Sequence, residues 1–167
     1  VVTRWSLNQY DVKVVCDFVP VKSAFYSLGF CAFDEHTRQQ ISYVQMPPLY
    51  QFQRLDDSAN MIISDIMPHT LAMVEVPAKN NSDSKISFAA VAEPGEIPFD
   101  WSINTKLHAT YGFSLINADN EIQPCIFSPV LGTKHSRWNN GEKHRVVFRL
   151  LAYPGDWGET LKAASDT

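Results

Sequence analysis

Histidine, cysteine and serine are the residue types in this chain that could carry metal or nucleophilic chemistry, and their spacing supports neither. No two of the five histidines stand at the i,i+2 or i,i+4 spacing that brings two imidazoles onto one metal ion. No serine lies in a GxSxG nucleophile elbow, and no glycine-rich phosphate loop is present. The sequence therefore predicts no catalytic residue, no metal site and no cofactor, and we expect a protein that is not an enzyme. The histidines are His36, His69, His108, His135 and His144.

The three cysteines lie in apolar runs without a neighbouring base, so an activated thiolate is not expected. They are Cys16, Cys31 and Cys125, and none has the CxxC spacing of a zinc site. Cys16 and Cys31 fall in neighbouring predicted strands and could form a disulfide bond in an oxidising compartment. The alternative is three buried thiols that pack as small apolar side chains.

Two tryptophans outside the predicted strands are the best candidates for binding residues. Trp138 lies in the polar loop 134–140 beside His135 and Arg137, and Trp157 follows a Pro-Gly-Asp turn near the C-terminus. A tryptophan in a polar loop offers a large contact area at low entropic cost, both to a protein partner and to a sugar ring. The alternative is that both rings fold back over the ends of the fold and cap its core.

Alternation of apolar and polar residues at period two is the dominant pattern, and it predicts half-buried antiparallel strands that position these side chains. Turn residues separate the strands at intervals of about ten residues, which is typical of a β-sandwich or barrel. We expect an all-β, antiparallel β-sandwich, immunoglobulin/transthyretin-like or jelly-roll-like. Strands are predicted over 11–18, 24–33, 40–45, 49–55, 60–65, 70–77, 85–92, 97–103, 107–116, 121–127 and 145–151.

The sequence contains two segments of similar pattern, which we call the two copies of an internal echo. Residues 24–49 and 109–131 each have an aromatic-rich alternating run, a polar tip and a second apolar run that closes on proline. A strand–turn–strand unit used twice predicts two related hairpins, and so two related sub-sheets.

The chain has three predicted regions, and the polar stretch 55–59 is the boundary between the first two. Residues 1–55 form an N-terminal β region, read as a partial repeat or an added sheet, and residues 56–154 form a β-sandwich domain. Residues 155–167 are a C-terminal tail in which 158–164 could make one helical turn.

Composition narrows the class of partner. The net charge is −4, which argues against nucleic acid, because phosphates require a basic surface. No run of 18 apolar residues is present, so no membrane-spanning helix is expected. The apolar content of 45% favours a packed fold.

Residues 61–152 resemble the YbaY/YscW family of small bacterial envelope lipoproteins, which includes type III secretion lipoprotein chaperones. The resemblance is carried by DIMPHTLAMVEV at 65–76, EIPFDWSI at 96–103, YGFSLI at 111–116 and IFSPVL at 126–131. The first of these lacks the second proline of the family pattern. The resemblance implies an exported, periplasmic protein anchored at the outer membrane by a lipidated cysteine upstream of Val1.

The predicted function is therefore that of a non-enzymatic envelope protein that binds a protein partner, as a secretion chaperone or pilotin does. It would bind by β-augmentation at a sheet edge or through a groove between the sub-sheets. One alternative is a carbohydrate-binding module that uses Trp138 and Trp157. Another is a self-assembling subunit of the jelly-roll capsid or pilus type.

Overall fold

The computed structural model describes residues 1–45, 61–63, 71–79, 81–93 and 110–166, with the backbone alone at 61–63 and 81–82. The predicted strands 49–55 and 97–103 lie outside the described residues. In chain order the strands are β1 (Val2–Leu7), β2 (Asp11–Phe18), β3 (Ala24–Phe25), β4 (Leu28–Cys31), β5 (Tyr43–Gln45), β6 (Met61–Ile63), β7 (Leu71–Ala78), β8 (Asn81–Ala92), β9 (Gly112–Ile116), β10 (Ile122–Ser128), β11 (Arg137–Trp138) and β12 (His144–Tyr153), followed by helix α1 (Trp157–Ser165).

These strands form an antiparallel β-sandwich, as the alternating pattern predicts. The larger sheet has the order β1-β2-β12-β8-β7-β5, and the smaller has the order β4-β10-β9-β6. A two-stranded ribbon joins β11 to β3. All the strand pairings are antiparallel.

The main core lies between the two sheets. Val14 and Phe148 of the larger sheet pack in one cluster with Phe113, Leu115 and Ile126 of the smaller sheet. Each of these five side chains is at most 3% exposed. Burial of a side chain of this size contributes about 1.5–3 kcal/mol, which makes this interface the main source of stability.

Within the described part of the two copies of the internal echo, only the second forms a hairpin. There β9 and β10 pair through a turn in which the side-chain oxygen of Asn117 accepts hydrogen bonds from the N–H groups of Asp119 and Glu121, both at 3.0 Å. In the first copy, β4 and β5 lie in different sheets. The segment between β4 and β5 contains His36, whose backbone forms an antiparallel β-bridge with Ile122 of the second copy. The prediction of two related hairpins is therefore wrong, because β4 finds its partner in β10.

The N-terminal region is not an added sheet. Strand β2 lies between β1 and β12 in the larger sheet, and β4 pairs with β10 in the smaller one. The described part of 1–55 thus contributes to both sheets and shares their core. The predicted boundary at 55–56 lies outside the described residues.

The C-terminal tail forms a longer helix than predicted. Helix α1 runs over nine residues and begins with a capping box, in which Asp156 and Glu159 each accept a hydrogen bond from the other's backbone N–H. Leu161 packs with Met73 and Leu151 in a second apolar cluster on the outer face of the larger sheet. This cluster supplies the tertiary contacts that a helix of this length needs.

Candidate functional site

Trp138 is a core residue at one end of the sandwich. It is only 3% exposed, and its ring stacks on His144 at 4.2 Å and on Tyr26 at 5.5 Å between ring centroids. Phe18 packs against it at 5.3 Å. Its indole N–H donates to the carbonyl oxygen of His135 at 2.9 Å. The expectation of an exposed anchor at Trp138 is thus wrong, because rings from distant parts of the chain cover the indole and it caps the core.

The neighbours of Trp138 line a small cleft. His135 and Arg137 are both exposed, but only His135 contributes to the cleft, whose volume is about 200 Å³. Two buried atoms of its lining, Thr110 Oγ1 and His144 Nε2, make no hydrogen bond within the described part of the chain, and His144 Nε2 lies 3.5 Å from Glu142 Oε2. The volume of the cleft is below the range of about 300–1,000 Å³ that small-molecule sites have. The cleft is large enough for a few water molecules or a small ion.

Trp157 lies far from Trp138. It is 41% exposed and stacks on Tyr43 with ring centroids 5.2 Å apart. Trp138 precedes β12 and Trp157 follows it, so the length of that strand, about 30 Å, separates them. The two rings therefore do not form one platform.

A larger cavity opens where α1 passes the turn between β1 and β2. Its volume is about 470 Å³. The rings of Tyr10 and Tyr153 meet there at 4.8 Å, tilted by 60°. Apart from the two rings, the apolar lining consists of Leu151 and Ala163. The polar members of the lining are Asn8, Gln9, Asp11, Glu159, Lys162 and Asp166.

Paired charges cover the outer face of the larger sheet. Arg149 donates to Asp11 at 2.7 Å and to Glu93 at 2.7 Å, and Lys13 also pairs with Glu93. Hydrogen bonds to Glu93 and Asp11 outweigh burial and raise the pKa of Arg149. Burial pushes the pKa of Glu93 upward, but hydrogen bonds from Arg149 and Lys13 lower it overall.

A second cluster surrounds Asp17, which is 8% exposed. Arg145 donates to it at 2.9 Å, Arg4 pairs with it, and Lys143 lies 3.8 Å away. Hydrogen bonds from Arg145 and Arg4 hold the pKa of the Asp17 carboxyl far below its usual range. The alternating pattern predicts a solvent-facing position for Asp17, but on that face the neighbouring cationic side chains cover its carboxylate. Three cations on one carboxylate leave this corner positively charged.

An exposed apolar rim runs between the edge strands β1 and β4. Trp5 and Leu7 are 53% and 82% exposed. The ring of Trp5 meets the edge of Phe30 at 5.5 Å, and Phe30 packs against Phe148 of the core at 5.6 Å. The rim is therefore the outer end of the core, open to solvent. We define it by Thr3, Trp5, Leu7 and Phe30.

The cysteines are arranged differently from the prediction. Cys16 and Cys31 lie on strands of different sheets and form no disulfide bond. Cys16 Sγ lies 3.9 Å from Thr3 Oγ1. Cys31 instead stands directly opposite Cys125 in the β4–β10 pair. Closeness along the sequence favours the wrong partner, because strand register decides which thiols meet.

No family model, curated protein or solved structure matches this chain significantly. The resemblance to the YbaY/YscW lipoproteins thus stays a prediction, and its segment 96–103 lies outside the described residues. The part of the chain that the structure describes brings no three histidine, cysteine or carboxylate side chains together as a metal site. Within that same part, no helix has the length and apolar character needed to cross a bilayer.

The rim is the feature that the sequence did not predict. The sequence pattern that would predict it is weak. Thr3, Trp5 and Leu7 lie on one face of β1, but the opposite face carries only one charged residue, Arg4, so apolar and polar residues alternate poorly. Every residue of β1 is exposed, so the usual contrast between a buried and a solvated face is missing.

Proposed function

We propose that this protein binds a protein partner by β-augmentation, in which an extended partner segment pairs with β1 and places its apolar side chains over the rim. The observation that carries the proposal is β1 itself, a six-residue edge strand that is exposed along its whole length. Among the strands that the structure describes, it pairs on one side only, with β2. An edge of this kind is a template for another strand.

The backbone groups that a partner needs point away from β2. The N–H of Asn8 donates to the carbonyl oxygen of Asp11 at 2.9 Å, which makes these two a hydrogen-bonded pair. Such pairs alternate along an antiparallel ladder. Thr3, Trp5 and Leu7 therefore direct their N–H and C=O groups outward.

The strand lacks the features that usually protect an edge. It contains no proline and no lysine. Its single charge, Arg4, is paired with Asp17 on the outer face. The opposite end of the sheet differs, since β5 is only three residues long and Tyr43 is stacked on Trp157.

The two faces of β1 specify the chemistry of the partner strand. On the inner face, Trp5 and Leu7 continue the core and favour apolar side chains. On the outer face, Arg4 and Arg145 surround the one carboxylate of Asp17 and favour acidic side chains. The best partner is thus an extended segment that alternates apolar and acidic residues. An exported, envelope-anchored setting for this binding remains a prediction.

A proline scan of β1 tests the proposal. Thr3→Pro removes an outward N–H and leaves the β1–β2 ladder intact, whereas Ser6→Pro removes an inward one. We expect a short peptide of alternating valine and glutamate to quench Trp5 fluorescence in the wild type, and Thr3→Pro to abolish binding without lowering Tm. Ser6→Pro is the control that lowers Tm. Unchanged peptide binding by Thr3→Pro would falsify the proposal.

The same edge could pair with a second copy of itself, and that outcome is distinguishable. Two antiparallel β1 strands would give a two-fold dimer. Light scattering measures the molar mass. A mass that rises to twice the monomer value with increasing concentration, and returns to the monomer value in Thr3→Pro, would assign the edge to self-assembly.

Carbohydrate binding is a second candidate because of the cavity at Tyr10 and Tyr153. Two aromatic rings beside amides and carboxylates offer stacking and hydrogen bonds to a sugar. Tyr10→Ala should remove any signal on a glycan array and Trp138→Phe should keep it. A blank array for the wild type would eliminate this candidate.

A further inference from the structure

We infer that Cys31 and Cys125 are a redox site that closes to a cross-strand disulfide bond under oxidising conditions. The two residues are direct Cα partners in the β4–β10 pair. Their sulfur atoms are 2.8 Å apart. A disulfide bond is about 2.05 Å long, so a movement of less than about 1 Å would complete it.

The strand register places the two residues in the right kind of pair. The N–H of Ala32 donates to the carbonyl oxygen of Pro124 at 2.7 Å, so these two form the hydrogen-bonded pair. Cys31 and Cys125 are next along the ladder and are therefore a non-hydrogen-bonded pair. The Cα atoms of such pairs are about 4.5 Å apart, within the range that a disulfide bond spans. The backbone thus needs no rearrangement.

The two thiols differ in access, which sets the order of the reaction. Cys31 is exposed on the edge strand, and Cys125 is only 7% exposed. Burial, together with the neighbouring Cys31, raises the pKa of the Cys125 thiol. Cys31 therefore reacts first with a reagent from solution, and Cys125 acts second from inside the sheet.

The oxidant in this scheme is a low-molecular-weight disulfide such as oxidised glutathione. The Cys31 thiolate attacks one of its sulfur atoms, forms a mixed disulfide and releases one glutathione thiolate. Cys125 then loses its proton to solvent and attacks the Cys31 sulfur, which releases the second glutathione. Two cysteine thiols are oxidised by two electrons, and one glutathione disulfide is reduced to two thiols.

Closure would change the stability of the fold. The bridge joins residues 94 positions apart and so constrains the unfolded chain over a long loop. It also fixes edge strand β4 to β10, next to Phe30 of the rim. We expect Tm to rise by about 5–15 °C on oxidation.

Cys16 provides a matched control, since it lies on β2 in the other sheet. The test equilibrates the full chain with oxidised glutathione, removes the reagent and titrates the remaining thiols in denaturant. We expect three titratable thiols before oxidation and one afterwards, with a Cys31–Cys125 linked peptide in the mass spectrum. Cys16→Ser should still form this linkage and rise in Tm, whereas Cys31→Ser should form no internal disulfide.

Three results would overturn the inference. They are retention of all three thiols, a linkage that involves Cys16, and a stable glutathione adduct on Cys31 while Cys125 stays reduced. Since Cys31 is exposed, Cys31→Ser is expected to fold, and circular dichroism verifies this before its thiols are counted.

Discussion

The side chain of Glu75 accepts a hydrogen bond from the backbone N–H of Trp157, the first residue of α1, at 2.9 Å. Glu75 is fully buried on the outer face of the larger sheet and also pairs with Lys85. A carboxylate at a helix N-terminus satisfies an otherwise unpaired donor and interacts favourably with the helix dipole. One buried charge therefore attaches the C-terminal helix to the sheet.

Glu75→Gln should weaken this attachment. The substitution keeps the shape of the side chain but removes the charge, so we expect a loss of about 2–3 kcal/mol in the free energy of unfolding. Urea denaturation measures the loss, and the control is the carboxylate-to-amide change Asp119→Asn at an exposed position. Equal stability of Glu75→Gln and the wild type would contradict the role of Glu75.

The Asp17 cluster should make stability dependent on acid. The pKa of Asp17 is lowered below its ordinary value of 3.8 by hydrogen bonds from Arg145 and Arg4. A carboxyl group whose pKa is lower in the folded protein than in the unfolded chain stabilises the fold. This stabilisation is fully present above the unfolded-state pKa and is lost as pH falls through the folded-state pKa. The stability difference between wild type and Asp17→Asn should be constant near neutrality and shrink below about pH 5. Denaturant titrations between neutral and strongly acidic pH measure it, and a constant difference throughout would refute this explanation.

The two tryptophans should differ in what their removal costs. Trp138→Ala leaves a cavity among Phe18, Tyr26 and His144 and should cost about 3–5 kcal/mol of stability. Trp157→Ala, at a 41% exposed position, should cost about 1 kcal/mol. Acrylamide should quench Trp157 more readily than Trp138 when either is observed alone. Similar losses for both variants would argue against the burial of Trp138.

A methyl group at Gly112 should displace the ring of Phe127. A Cβ atom there would lie 2.0 Å from that ring, so Gly112→Ala forces the partly buried ring to turn away and should destabilise the fold by about 1–3 kcal/mol. Gly29 is the matched control. It lies opposite Phe127 on the other side of β10, and a Cβ there would meet Phe127 at an ordinary 3.6 Å. Thermal denaturation of both variants tests the contrast, and a Gly112→Ala protein with the wild-type Tm would disprove the clash.

The fold class follows from the sequence because period-two alternation survives in the strands that face the core. The predicted bounds of β2 and β12 agree with the structure within a residue or two, since Val14 and Phe148 fall on one face of their strands and Lys13 and Arg149 on the other. Strand β1 was missed because none of its residues is buried. Helix α1 was underestimated, although the capping box of Asp156 and Glu159 can be read directly from the sequence.

The candidate sites were less predictable because they depend on residues far apart in the chain. Trp138 is flanked by polar residues, and only its contacts with Phe18 and Tyr26 reveal that it is buried. The partner of Cys31 is likewise 94 positions away. Local pattern carries no information on which strands become neighbours, so register-dependent pairs need the structure.

The position of β2 beside β12 has a consequence for synthesis of the protein. Residues 11–18 have to wait for residues 144–151 to leave the ribosome before the centre of the larger sheet can form. Until then β2 would carry an unsatisfied edge that invites aggregation. Folding is therefore expected to be late and comparatively slow, as in other β proteins dominated by distant pairings.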